Sequence, residues 1–361
     1  MYNHLVVNNH TFQTTRYQGS KRKLLPWIYE ILNEISFDSV LDGFGGTGSV
    51  SYLLKSMGKK VTYNDYLRFN SIIALSLIEN SKTVLSDEDI TVILKNQSDA
   101  GNFINLLFEN IYYLNCENEW IEKVIININK FNLDDKTDIH FKKAIALNAL
   151  FQSCIIKRPF NLFHRKNLYM RTNNVERSFG NKTTWDRDFE HYFRKFVKEV
   201  NNSVFETEKN CKVQNADIFA VDGDNFDLVY LDPPYVLENS KNESSNYLNC
   251  YHFLEGLADY EHWFENIDFE SQTLRLKTSY LPNYFKASNV NETFENLIYK
   301  FRKNKIVISY KHGGKPTIDF ILTLLKKNGK TVRTYSRPYK YALNRQNGSA
   351  MQNREYLIIG T

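Results

Sequence analysis

The chain has 361 residues, 42% of them hydrophobic, with a net charge of +5 and a pI of about 8.7, enough apolar material for one large or two modest domains. Its four cysteines, Cys116, Cys154, Cys211 and Cys250, are far apart and form no C-x-x-C, which argues against a disulfide framework and a zinc site. No apolar run approaches membrane-spanning length and the N-terminus has no signal-peptide pattern, so a cytoplasmic protein with no membrane association and no metal is expected.

Taken in chain order, "SFDSVLDGFGGTGSVSYLLKSMG" predicts a strand ending at Val40-Leu41, a tight turn at Gly43, Gly45, Gly46 and Gly48, and a helix with Val50, Leu53 and Leu54 on its apolar face. "KKVTYNDY" predicts a second strand ending at Asp65, and two βα units in tandem imply a parallel, doubly wound α/β sheet. The strand rhythm then stops. From about Leu67 to Val204 the spacing is mostly helical, as at Ile104, Leu107, Phe108 and Ile111. Strands resume with "CKVQNADIF", "FDLVYLD", "NKIVISY", "KTVRTYS" and "EYLIIGT", while "TLRLKTSY" is ambiguous. One α/β domain, 1–66 and 205–361, is therefore expected to be split by a helical insertion, 67–204.

Charge is unevenly placed along this order. Residues 157–187 carry 8 Lys/Arg against 2 Asp/Glu, and residues 300–345 carry 13 against 1. Two basic blocks on a nearly neutral remainder point to a polyanion partner.

"GFGGTG", Gly43 to Gly48, fits the dinucleotide-binding pattern, with Asp65 at the end of the next strand placed to accept from ribose hydroxyls. Taken alone this would suit a dehydrogenase. Asp42 changes the choice, because a carboxylate directly before the turn suits a cationic ligand, such as the sulfonium of S-adenosylmethionine, better than a pyrophosphate.

"LDPPY" adds a carboxylate, Asp232, on a rigid corner of Pro233 and Pro234, with Tyr235 beyond it. Two fixed acceptors, the Asp232 carboxylate and a backbone carbonyl such as that of Pro233, can hold the two N–H bonds of an exocyclic amine with its lone pair aimed at an electrophilic methyl. Tyr235 can stack on a base rotated out of a duplex.

With these motifs in this order, the sequence resembles the Dam-like (alpha-group, DPPY) DNA N6-adenine methyltransferases over nearly its whole length. The resemblance implies a Rossmann-like S-adenosylmethionine-dependent methyltransferase sheet split by a mainly helical target-recognition insertion. "RYQGSKRKLLPWI" resembles the family's N-terminal cofactor segment, which implies that Tyr17 and Lys21 meet the methionine end of S-adenosylmethionine. "LDGFGGTGS" resembles the glycine motif, with Asp42, Phe44, Gly45, Gly46 and Gly48 beside the cofactor; Asp65 matches the ribose acid; Asp217 and Ile218 in "NADIF" match the adenine contacts. "LDPPY" matches the catalytic motif, and "YHFLEGLADYEHW" the aromatic segment that follows it. "RPFNLFHRKNLYMRTNNVERSFGNKTTW" resembles a stretch that touches DNA, implying Arg158, Asn161, Arg165, Lys166, Arg171, Arg177 and Lys182 as contacts, with Phe160 and Phe163 available for the core. The implied function is site-specific transfer of a methyl group to adenine N6 in double-stranded DNA, with a cognate restriction endonuclease as a possible partner. The same chemistry on RNA, and an inactive DNA-binding relative, remain as alternatives. Residues 267–301 match no family motif.

Overall fold

Period-two alternation along the central strands sends neighbouring side chains into two separate cores. In β3 (Ser39–Asp42), Val40 faces one core and Leu41 the other; in β6 (Leu228–Leu231), Leu228 and Tyr230 face the first, and Val229 and Leu231 the second. These strands are apolar on both faces because both faces of the sheet are covered by helices. The computed structural model describes residues 5–7, 10–95, 101–131, 138–173, 182–236, 246–281, 284–339 and 353–361.

The other strands are β1 (Leu5–Val7), β2 (His10–Phe12), β4 (Lys60–Asn64), β5 (Lys212–Gln214), β7 (Lys305–Lys311), β8 (Val332–Pro338) and β9 (Arg354–Gly360). β1 and β2 form a small antiparallel pair that the sequence reading did not anticipate. The other seven form one sheet in the order β5-β4-β3-β6-β7-β9-β8. β5, β4, β3, β6 and β7 are parallel, and β9 runs antiparallel to both β7 and β8. The chain leaves β3 toward β4 on one side and β6 toward β7 on the other. A crevice therefore opens at the carboxyl ends of β3 and β6, the place where open α/β sheets bind ligands.

Among the described residues, the chain between β4 and β5 forms helices and no strand. The helix Phe189–Asn201 presents Phe189, Tyr192, Phe193, Phe196, Val197 and Val200, a spacing that lines one helical face, and packs against Ile139–Ile156. The latter is buried almost all round from Ala144 onward. These side chains belong to the same continuous core as Val40, Val61 and Tyr63 of the sheet. The helices are thus cored together with the sheet, and packing alone draws no boundary at residues 67 and 204.

"TLRLKTSY" forms no strand; it bends, with a single antiparallel bridge between Ile267 and Leu276. No helix among the described residues is long and apolar enough to cross a membrane.

Candidate active site

The glycine turn is shaped by its neighbours. A Cβ on Gly45 would lie 2.1 Å from the ring of Tyr63, and Gly48, the residue before the helix Ser49–Ser56, sits at φ +73°. The Tyr63 hydroxyl donates to the Gly46 carbonyl at 2.6 Å. Asp65, just past β4, accepts from the Gly46 amide at 2.9 Å and the Leu67 amide at 2.8 Å. Each carboxylate oxygen retains acceptor capacity beyond one such bond. Asp42, at the end of β3, accepts from the Ser51 hydroxyl at 2.7 Å. Burial, with Asp232 and Asp65 nearby, pushes the Asp42 carboxyl up to about 7; burial pushes Asp65 up to about 6.

One cavity is lined by Tyr17, Lys21, Asp42, Phe44, Gly45, Gly46, Asp65, Asp232, Pro233, Pro234 and Tyr235. The structure thereby brings together residues separated by more than two hundred positions. Gly48 lies behind the turn rather than on the cavity wall. Asp217 and Ile218 line an adjoining cavity that shares Phe44 and Pro234 with the first. Its other walls include Tyr284 and Phe285. The Tyr284 hydroxyl donates to Asp217 at 2.6 Å, and Phe285 meets Phe44 edge-on at 5.4 Å. Neither residue was expected, because 267–301 carries no motif.

Tyr17 stacks on Tyr251 at 4.5 Å, which links the N-terminal segment to the helix Tyr247–Ala258 after the proline corner. Lys21 is turned toward the proline corner. Its ammonium lies 2.8 Å from Asp232 Oδ1 and 3.0 Å from Glu355 Oε1, and donates to the Tyr235 hydroxyl at 2.5 Å. The Tyr235 hydroxyl is in turn 2.9 Å from both Asp232 Oδ1 and Glu355 Oε1. Burial opposes the charge on Lys21, but the two carboxylates outweigh it and hold the ammonium well above its ordinary pKa. Burial raises Asp232, with Lys21 pulling the other way and Glu355 adding to the rise. Glu355, from β9, was missed by the sequence reading; it sits in an apolar strand with no adjacent signal.

The expected DNA contacts divide sharply. Arg165, Lys166 and Lys182 are exposed, and Asn161 is half-buried. Arg158 corrects the expectation made for it. It is 1% exposed, and its guanidinium donates to the carbonyls of Leu162, Tyr112, Lys166 and Arg165 while lying over the Tyr112 ring at 4.5 Å. An arginine committed to four carbonyls inside the fold does not face a groove. Arg171 is also turned inward, paired with Glu117 at 2.7 Å, and Lys157 joins the same carboxylate at 2.6 Å. Phe163 is in the core, but Phe160 is 65% exposed with φ +61°, a backbone region costly for a bulky side chain. Arg177 lies outside the described residues. Among the described residues no group of His, Cys, Asp and Glu could hold a metal ion.

The family model for D12 class N6 adenine-specific DNA methyltransferases matches residues 17–311. The chain belongs to this family. The D12 methyltransferase is similar along nearly its whole length to type II methyltransferase M2.HphI of Haemophilus parahaemolyticus, 26% identical over 342 residues that cover 93% of this chain and 94% of the relative. It is similar also to type II methyltransferase M.NlaIII of Neisseria lactamica, 23% identical with 95% and 98% of the two chains covered. Type II methyltransferase M.FokI of Planomicrobium okeanokoites is 25% identical over 95% of this chain and 52% of its own length. The enzyme therefore methylates DNA at adenine N6, a reaction that requires a methyl donor.

Proposed function

We propose that the D12 methyltransferase uses S-adenosylmethionine, bound across the carboxyl ends of β3 and β4, to methylate an adenine held at Asp232 after rotation out of double-stranded DNA. The observation that carries this reading is the convergence of Asp42, Asp65 and Asp232 on one cavity at the topological switch of the sheet. The donor set suits the group. Asp42 is a buried acid that a nearby positive charge would favour, Asp65 has acceptor capacity for ribose hydroxyls, and Ile218, Phe44 and Asp217 offer apolar faces and an acceptor for an adenine. When bound, S-adenosylmethionine supplies an electrophilic methyl group on a sulfonium sulfur.

The chain's own residues do the rest. Asp232 and the Pro233 carbonyl accept the two N–H bonds of the target amine, which frees the nitrogen lone pair for attack. The proline corner fixes both acceptors before the base arrives, so the geometry is set in advance. Lys21 opposes the upward push of burial on the Asp232 carboxyl. Tyr235 stacks on the base, and Asp232 neighbours the surplus amine proton released after transfer.

Target recognition is assigned to the helical stretch between β4 and β5, with 1–66 and 205–361 as the catalytic part. Arg165 faces base edges, and Lys166 and Lys182 face phosphates. Phe160 offers an exposed ring on the loop that Arg158 holds from within. Since the relatives carry the name type II methyltransferase, we read this enzyme as the modification member of a restriction–modification pair, with an endonuclease acting on the same site. The test is sequencing of DNA from cells expressing the protein with a readout of N6-methyladenine. Methyladenine confined to one short sequence supports the reading; DNA with none contradicts it.

A further inference from the structure

Lys21 is a buried cation held between two acids, the fully buried Glu355 and the partly exposed Asp232. Its ammonium has three donors. They meet Asp232 Oδ1, Glu355 Oε1 and the Tyr235 hydroxyl, at 2.8, 3.0 and 2.5 Å. Two of these three partners have other work to do if Asp232 accepts the target amine and Tyr235 stacks on the base. Asp232 must take the amine on a carboxylate whose Oδ1 already accepts from Lys21 and Tyr235, and the Tyr235 ring must serve the base. A Lys21 ammonium left in a site this buried without a carboxylate would be heavily penalised. With Asp232 alone as its partner, Lys21 would draw on the charge that the amine also needs.

Glu355 supplies the second carboxylate. It is 0% exposed, on β9, and β9 is hydrogen-bonded on both sides, to β7 and β8, so its position is set by the sheet. Its Oε1 also accepts from Ser309 on β7 at 3.2 Å, which orients the carboxylate toward the proline corner. Asp232, by contrast, sits beyond the end of β6 at the mouth of the cavity, with a side chain 18% exposed.

We propose that Glu355 is a positioning residue for methyl transfer, serving as the standing counter-charge that holds Lys21 while the Asp232 carboxylate is shared between Lys21 and the target amine. The proposal rests on the reading of Asp232 as acceptor of that amine. Glu355 touches neither the base nor the methyl group; it acts through Lys21 and Tyr235. Other charged groups bear on the same corner. Lys311, on β7 opposite Glu355, is a second cation that feels the Glu355 charge, with its ammonium 5.8 Å from the Tyr235 ring centre, and Asp42 is near enough to Asp232 for the two acids to repel. Glu355, Asp232 and Tyr235 all meet the Lys21 ammonium at 3.0 Å or less.

The experiment compares wild type, E355D and E355Q, each checked for folding by thermal melting, in calorimetric titration with S-adenosylmethionine and in single-turnover methylation of a cognate duplex at saturating cofactor. E355Q should bind the cofactor within about threefold of wild type and transfer the methyl group at least about tenfold more slowly. E355D, which keeps the charge but shortens the reach, should fall between the two in rate, again with cofactor affinity little changed. A merely structural role would lower affinity and rate together. The proposal is overturned if E355Q transfers at the wild-type rate, or if the rate losses are matched by equal losses in cofactor affinity. Should E355Q fail to fold, the same comparison of E355D with wild type decides: a slower transfer at unchanged affinity supports the proposal, and an unchanged rate overturns it. Asp232→Ala run alongside separates the two claims, since a wild-type rate there defeats the role of Asp232 itself, whatever Glu355 does.

Discussion

The Asp65 carboxylate holds the glycine turn from outside: its Oδ2 accepts from the Gly46 amide at 2.9 Å, nineteen positions earlier in the chain. The acid proposed for the ribose is also a brace for the loop proposed to hold the rest of the cofactor. Asp65→Ala removes both, and should weaken S-adenosylmethionine binding by roughly 1–3 kcal/mol, the cost of leaving hydroxyl and amide donors without a partner. Asp65→Asn, which keeps one acceptor oxygen, should lose less. Calorimetry on the folded variants reads this directly; unchanged affinity in Asp65→Ala would remove the ribose role.

Asp42 makes a pH-dependent prediction whose sign is the reverse of the ordinary carboxylate case. Its folded value, about 7, lies above the ordinary 3.8 because burial and two neighbouring acids disfavour the charge. Between those values the native state holds a proton that the unfolded chain has released, so stability falls as pH rises through the window and levels off above about 7. Asp42→Asn abolishes this decline. Its stability advantage over wild type should be small near pH 4 and grow to as much as roughly 4 kcal/mol by pH 7.5, at about 1.4 kcal/mol per pKa unit. Cofactor affinity should move the other way, weaker in Asp42→Asn, and in wild type weaker as pH drops below about 7, because a cationic ligand favours the ionised acid. Urea denaturation and cofactor titration at several pH values test both; parallel stability profiles for the two proteins would contradict the assignment.

Arg158 and Arg165 should separate cleanly. Arg158→Ala leaves the carbonyls of Tyr112, Leu162, Arg165 and Lys166 without their donor, and should cost about 2–5 kcal/mol of stability in denaturant unfolding. Arg165→Ala should change stability by less than about 0.5 kcal/mol and instead relax discrimination at one base pair by roughly 1–3 kcal/mol. Lys166→Ala should weaken all duplexes alike and reduce the salt slope by about one unit. If Arg158→Ala were fully stable and lost discrimination, the inward placement of Arg158 would be the wrong basis for its role.

Much of this site is legible in the sequence because its motifs are local. "LDGFGGTGS" and "LDPPY" each place an acid at the end of an apolar strand, and strand polarity alone sends both to the same edge of a parallel sheet. What the sequence hides is contact at long range. Glu355 lies 123 positions beyond Asp232, in a strand whose neighbours are chosen by the antiparallel return of β9, which no local pattern reveals. Tyr284 and Phe285 reach the pocket from a segment with no periodicity. Arg158 and Arg165 look equivalent as residues in a basic run; they differ only because the loop turns through left-handed positions at Phe160 and Asn161, φ +61° at each, and puts one side chain inside and the other out. The division into two domains drawn from the change in periodicity is blurred for a related reason, since helices between β4 and β5 bury their apolar faces in the core of the sheet.

Tyr235 has two assigned roles that substitutions can split. Its hydroxyl joins Lys21, Asp232 and Glu355, while its ring is offered to the base. Tyr235→Phe and Tyr235→Trp should retain most of the transfer rate, and Tyr235→Ala should lose roughly 1–3 kcal/mol, the worth of one base–aromatic stack. Fluorescence of 2-aminopurine at the target position follows the base itself. If Phe proves as damaging as Ala, the hydroxyl network rather than stacking sets the rate.

The central claim is that Asp232 accepts the target amine in the transition state. Single-turnover methylation by Asp232→Ala, with S-adenosylmethionine binding measured on the same protein, tests it most directly. The interaction is made with the base and not with the cofactor, so cofactor binding should survive while the transfer rate falls by more than about a thousandfold. An Asp232→Ala enzyme that methylates cognate DNA at a rate near wild type would contradict the account.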